Sequence, residues 1–370
     1  MPIDLADFAR RHIAPRDLLA SPSFPPDLWA DMAASGLFRI GLPAAHGGDG
    51  GGYAAIAAAE RVLVEEGQST GLAGVWGGHQ MVARWFLAGF GDAAQQARYL
   101  PALASGALTA GVAISEPKVG AHPKHLTTRA ARDGDGWRIS GEKSYVTNGD
   151  IAGLYVVLAI TAMEGERKRY SFFLVERDAP GLAVVEAATP ESMRPVGHVA
   201  LRLDAVPVAG AALIGPRDGA YEAMALPFRD AEDAVGTSGM AGNLAGMLRL
   251  LAGELAPGEE AVADLGALAG LAALAGPSAA ALARSVDEGS FTGPEAQALL
   301  IGLRQLAAEF HKRATALRDA HSATRTARLD ARLHSIQTSL SVARGPRAIR
   351  MARLGAGLLG RDGDKAGPVV

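Results

Sequence analysis

The stretch Gly-Glu-Lys-Ser-Tyr-Val-Thr-Asn-Gly, residues 141–149, ends in a hydroxyl, an amide and a glycine directly after an aromatic ring. Groups of that kind either cap a strand end or offer a bound molecule short, fixed hydrogen-bonding atoms beside a flat apolar surface. The preceding residues, RDGDGWRIS, make this the second half of a β-hairpin. Asp133-Gly134-Asp135-Gly136 supplies turn positions, and Trp137, Ile139, Tyr145 and Val146 are β-formers.

Other chemistry-bearing residues are weaker candidates. His122 and His125 flank Pro123, which argues for a loop rather than a helical metal pair, so no metal site is expected. The glycine run at 47–52 lacks the Lys-Ser/Thr sequel of a phosphate-binding loop and reads as a turn. Arginines 325, 328, 332, 344, 347, 350 and 353 suit a solvated or intersubunit helix face, with phosphate contacts as the alternative. A net charge of −3 gives no reason to expect nucleic acid as the partner.

The elements that must position these groups fall into three zones. Residues 1–110 read as helices joined by glycine-rich connections, with Leu28, Met32 and Leu37 on one buried face. Helices are expected over 53–66 and over 92–106, the latter interrupted near Pro101. Residues 111–218 change period: seven short β-rich runs, from GVAIS to VALRLDAVPV, predict a compact antiparallel barrel or sandwich. Residues 219–370 return to a helical period. A long helix, with Phe228, Ala231, Val235, Leu244, Met247, Leu248 and Leu251 on one face, precedes segments at roughly 261–288, 294–320 and 323–360. Breaks are expected at Pro277 and Gly345-Pro346, and the zone reads as a four-helix-bundle-like domain. The fold class is therefore α+β and multidomain.

The 370 residues are 49% hydrophobic, 20% charged and only 5% aromatic, which favours close-packed Ala-, Gly- and Leu-rich helices. Cysteine is absent, excluding disulfides and thiolate chemistry. The N-terminal residues lack the apolar core of a secretory signal, and no run of about 18 apolar residues stands out as a bilayer span. A cytoplasmic protein is the expectation.

The order of helices, β zone and helical bundle, together with GLFRIGLPAAHGGDGGG, AAAERVLVEEG, AISEPKVGAHP, DGDGWRISGEKSYVTNG and FFLVERDAPGL, resembles the acyl-CoA dehydrogenase family of flavoproteins. The likeness covers some 220 residues and weakens after about 253. It implies FAD as cofactor, with Val112, Ala113, Ile114 and Ser115 along one side of the flavin and Tyr145, Val146 and Thr147 along the other. The Ser115 hydroxyl would then meet the pyrimidine edge and the Thr147 hydroxyl the reactive N5. It also implies oxidation of the Cα–Cβ bond of an acyl-CoA by a carboxylate base, a homodimer or homotetramer, and an electron-transfer protein as acceptor.

The chain departs from that pattern in its outer half. The Tyr-Glu-Gly-Thr-like motif that carries the base is absent; LDARLHSIQTSLSVAR offers Gln337, Thr338 and Ser339 instead. The alternative position, before an arginine on the first bundle helix, holds Phe228 before Arg229. Asp230 and Glu232 follow, roughly 100° and 300° round the helix, so at most one can face the flavin. Neither the Arg-x-x-Phe-Gly pyrophosphate segment nor the glycine-rich adenine segment is found. The Ser-Asp after the first flavin motif is replaced by Ala121 and His122, which become candidate substrate contacts, as does Arg229. An acyl-CoA dehydrogenase-type enzyme with an unassigned base is the leading reading. A catalytically silent subunit of a hetero-oligomer and a flavin-dependent oxygenase are the rivals.

Overall fold

The apolar run Leu154–Ile160 is buried along its whole length because both of its faces are covered. Leu154, Val156, Leu158 and Ile160 join a core shared with the helices, while Tyr155, Val157 and Ala159 join a second core enclosed by strands. The two-residue alternation of a strand explains the division. In this computed structural model, residues 3–186, 193–255, 259–321, 326–341 and 344–360 are described.

Helices α1 (Leu5–Phe8), α2 (Pro26–Ala34), α3 (Tyr53–Gly67), α4 (Gly78–Val82) and α5 (Ala93–Ala104) come first. Leu28, Met32 and Leu37 are fully buried, as their spacing predicts. Helix α5 starts with a capping box between Asp92 and Gln95 and runs through Pro101 without interruption. Pro101 is solvent-exposed, and Leu100 and Leu103 bury the opposite face, so one lost backbone bond is outweighed by packing.

The strands are β1 (Ala110–Ala113), β2 (Arg129–Asp133), β3 (Gly136–Thr147), β4 (Leu154–Glu164), β5 (Arg167–Glu176), β6 (Leu182–Glu186), β7 (His198–Val208) and β8 (Leu213–Ile214). All seven expected runs are present. Strands β2 and β3 form the expected hairpin, closed by the Asp133↔Gly136 pair with Gly134 at φ +56°. The order is β6-β7-β3-β2-β4-β5-β8. The sheet is mixed rather than wholly antiparallel: β1 lies parallel to the first residues of β4, and β2 meets β4 in parallel at Arg129↔Ile160. The side-chain period alone carries no information on strand direction.

A π-helical turn, Tyr221–Ala225, leads into α6 (Leu226–Val235), α7 (Thr237–Glu254), α8 (Glu259–Asp287), α9 (Pro294–Ala320), α10 (Ala327–Ser341) and α11 (Arg344–Leu358). The expected long helix is divided at Gly236, and the expected final segment is two helices. Helix α8 continues through Pro277. Helices α7, α8 and α9 pack on one another, with α10 against α7 and α9 and α11 against α9. The expectation that no segment has spanning length is corrected by α8. Ala261–Asp287 is long and apolar enough by composition, an 18-residue window of it having a mean hydropathy of 1.7, and residues 265–283 carry no charge. Its apolarity comes from Ala and Gly, and one face packs against α3, α6, α7 and α9. Arg325, residues 256–258 and the last ten residues lie outside the described part.

Candidate active site

Two strand ends, two helices and a π-helical turn build a cleft of about 190 Å³. From β1 and its continuation come Val112, Ile114 and Ser115; from β3, Ser144, Tyr145 and Thr147; from α4, Gly78 and Val82. The facing wall is the π-turn and α6, with Tyr221, Ala225, Leu226, Phe228, Arg229 and Glu232. Ala121 completes the lining.

The β wall is shaped by a register shift in β3 between Lys143 and Val146. Tyr145 sits there at φ +57°, a conformation costly for an aromatic residue, and its side chain stands 68% exposed in the cleft. Such strain persists only where surrounding structure holds it. Here the Ser144 N–H donates to Ser115 O at 2.9 Å, and a buried ion pair lies behind. Lys143 Nζ donates to Ile114 O and to Glu116 Oε1, each at 3.0 Å, and the two charged side chains are 1% and 4% exposed. Glu116 also accepts from Thr127 N, Thr127 Oγ1 and Thr128 N. Burial works against both charges. Lys143 and these donors nevertheless hold the Glu116 carboxyl down at about 2, while desolvation pulls Lys143 to about 8. The pair is ionised at neutral pH and ties the β1 end to β3 across the base of the cleft wall.

Thr147, Asn148 and Gly149 divide their tasks. Thr147 lines the cleft, and its Oγ1 lies 3.4 Å from His198 Nε2. Burial lowers the His198 pKa and raises that of Asp150, its electrostatic neighbour. Asn148, at φ +59° and 1% exposed, donates from Nδ2 to Val75 O at 2.7 Å, fastening the β layer to the π-helical turn Ala73–Gly77 that leads into α4. Gly149 O accepts from Tyr155 Oη at 2.8 Å and from Arg177 at 3.0 Å.

Of the residues singled out in the sequence, Val112, Ile114, Ser115, Tyr145, Thr147, Ala121 and Arg229 meet at this cleft. Ala113 and Val146 do not present their side chains to it. Both are fully buried in the strand-enclosed core, because adjacent residues of a strand point to opposite faces. His122 is absent from the lining and packs against His125 with the rings tilted at 36°, centroids 4.4 Å apart. Desolvation and that neighbour lower its pKa. Among the described residues no cluster of three or more metal-ligating side chains occurs.

The structure adds what the sequence did not assign. Glu232 is the one carboxylate among the described lining residues, whereas Asp230 turns away to pair with Arg350. Solvent reaches Glu232, but crowding by protein and the adjacent Asp233 raise its pKa to about 7. Glu232 also borders a second cavity of about 350 Å³, lined in part by Met240, Asn243, Arg304, Ile336 and Arg347. The signal was present in LPFRDAED, where the helical angle left room for one carboxylate. A shallower hollow of about 580 Å³ around Tyr99, Leu154 and Arg177 shares no residue with the cleft.

Comparison with known proteins fits this architecture. Residues 4–107 match the family profile of the acyl-CoA dehydrogenase N-terminal domain and residues 111–206 that of the middle domain. An acyl-CoA dehydrogenase of Bacillus subtilis is 30% identical over 222 residues, 59% of this chain and 58% of that protein. Mitochondrial isovaleryl-CoA dehydrogenase of Oryza sativa is 32% identical over 191 residues, 50% of this chain and 46% of that protein. The matched region thus spans about half the length of these curated relatives. Among solved structures, an acyl-CoA dehydrogenase from Geobacillus kaustophilus superposes with a TM-score of 0.82 at 20% identity, covering 95% of each chain. A prolyl acyl carrier protein oxidase does so with a TM-score of 0.82 at 22% identity, covering 96% of each. The structural likeness extends the shared fold through the helical bundle, where the sequence likeness fades. With both profiles in order across more than half of its length and the fold shared throughout, the chain belongs to the acyl-CoA dehydrogenase family.

Proposed function

We propose that the protein is an FAD-binding oxidoreductase acting on the CH–CH group of an acyl-CoA thioester. The observation that supports this most directly is the cleft itself. Two strand ends far apart in sequence and the first bundle helix converge on one slot, with apolar side chains on its walls and hydroxyls at its edge. The residues fit a flat heteroaromatic ring. Val112, Ile114 and Tyr145 offer packing surface, Ser115 and Thr147 offer hydroxyls, and the buried Ser144 Oγ and Arg229 Nε lack any hydrogen-bond partner. Unpartnered buried polar atoms are costly, so two at one slot favour a polar ligand.

FAD, when bound, supplies hydride acceptance. The chain's own residues would hold the ring between β1 and β3, exclude water with Phe228 and Leu226, and orient the thioester with Ala121 and Arg229. We assign residues 1–110, 111–218 and 219–370 to N-terminal helical, flavin-contacting and bundle domains. Val262 and Leu274, 59% and 61% exposed on α8, support a homodimer or homotetramer, since such side chains gain by burial. The test is to add FAD to the purified protein and then an acyl-CoA without oxygen. Uptake of FAD followed by bleaching of its visible band supports the reading; a protein that retains no FAD contradicts it.

A further inference from the structure

Resting on that function, the geometry points to Glu232 as the group that removes the α-proton of the bound thioester. We infer this from placement. Both familiar base positions are vacant, yet the cleft that carries Thr147 on one wall carries Glu232 on the other. Glu232 is three residues after Arg229, close to one helical turn, so the two share a face of α6. Asp230, on the same helix, is committed to Arg350, and Asp233 to Arg304 and Arg350.

In the step, the Cα–H bond breaks, the proton passes to a Glu232 carboxylate oxygen, and the electron pair is delocalised into the thioester carbonyl. Reversal returns a proton from solvent-equilibrated Glu232. A base whose pKa has been raised to about 7 suits this task, being largely ionised just above neutrality while holding a proton better than an ordinary carboxylate. The ionisable groups lining the two cavities with it are Tyr145, Tyr221, Arg229, Asp233, Arg304 and Arg347. Helices α3 and α8 pack on α6 but contribute none to either lining.

The experiment uses the FAD-loaded chain in deuterium oxide with a 3-thia-acyl-CoA, whose α-protons can leave but which has no β-hydrogen to transfer. Deuterium incorporation is followed by mass spectrometry, and binding by calorimetry. The wild type should exchange, with a rate that rises with pH and levels above about 7. Glu232→Gln should bind the thioester within about threefold and exchange at least about 100-fold more slowly, the lower end for a lost general base. Asp230→Asn should exchange near the wild-type rate. Wild-type-like exchange by Glu232→Gln, or a wild type that binds but does not exchange, overturns the assignment. Failure of the wild type to take up FAD or thioester instead removes the functional reading beneath it.

Discussion

Replacing Lys143 with methionine tests whether the buried ion pair holds the cleft wall in shape. Lys143 donates two hydrogen bonds, to Ile114 O and to the Glu116 carboxylate, and both charged side chains are all but sealed from water. Losing the first bond costs about 1 kcal/mol, and leaving Glu116 charged without its cation adds about 2–3 kcal/mol. The sum, about 3–4 kcal/mol, lies within the range for stranding one member of a buried pair. The companion Glu116→Gln/Lys143→Met removes both charges and should recover about 2 kcal/mol of that loss. Urea unfolding of the wild type, both single variants and the double variant gives the coupling energy directly. The pH dependence adds a signed check. Because the Glu116 carboxyl is depressed from 4.5 to about 2, its contribution is present above pH 4.5 and disappears as pH falls through 2. In Lys143→Met the corresponding loss should begin at a higher pH. A single-variant loss below about 1 kcal/mol, or a double variant equal to the sum of the singles, refutes the reasoning.

Two further outcomes concern the same framework. Glu60 is buried beside Gly239, and desolvation raises its pKa from 4.5 to about 8, so it favours folding below pH 4.5 and loses that contribution as pH rises through 8. Glu60→Gln should match the wild type within about 0.5 kcal/mol at pH 4.5 and exceed it by roughly 2–4 kcal/mol at pH 8, read by denaturant unfolding; equal stability at pH 8 contradicts this. Asn148→Ala removes the clamp on Val75 O and places a methyl side chain at φ +59°, so it should cost about 2 kcal/mol, whereas Asn148→Gly, free of backbone strain, should cost about half as much.

Much of this fold is written in local pattern. The seven β runs announce themselves by β-branched and aromatic content between turns, and Asp133–Gly136 closes its hairpin as its glycines dictate. What the pattern lacks is direction and context. Nothing in GVAIS distinguishes parallel from antiparallel pairing with β4. Pro101 and Pro277 read as breaks because the packing that carries a helix past a proline is a tertiary property. The uncharged run in α8 escaped notice because Ala and Gly signal apolarity faintly.

The candidate site was legible in the same uneven way. Val112, Ile114, Ser115, Tyr145 and Thr147 lie in the two quoted motifs, and strand alternation, once applied, sends Ala113 and Val146 inward. Glu232 needed coordinates. Its helical angle narrowed the choice to one carboxylate, but only the Asp230–Arg350 pairing shows which one is free to face the cleft.

The slot between β1, β3 and α6 is the core of the account, and stoichiometric flavin titration of the purified chain tests it most directly. The account predicts saturation at about one FAD per chain, with a shifted visible spectrum, and loss of uptake when Thr147→Trp fills the slot of an otherwise folded protein. No uptake by the wild type, or uptake undiminished in Thr147→Trp, would contradict it.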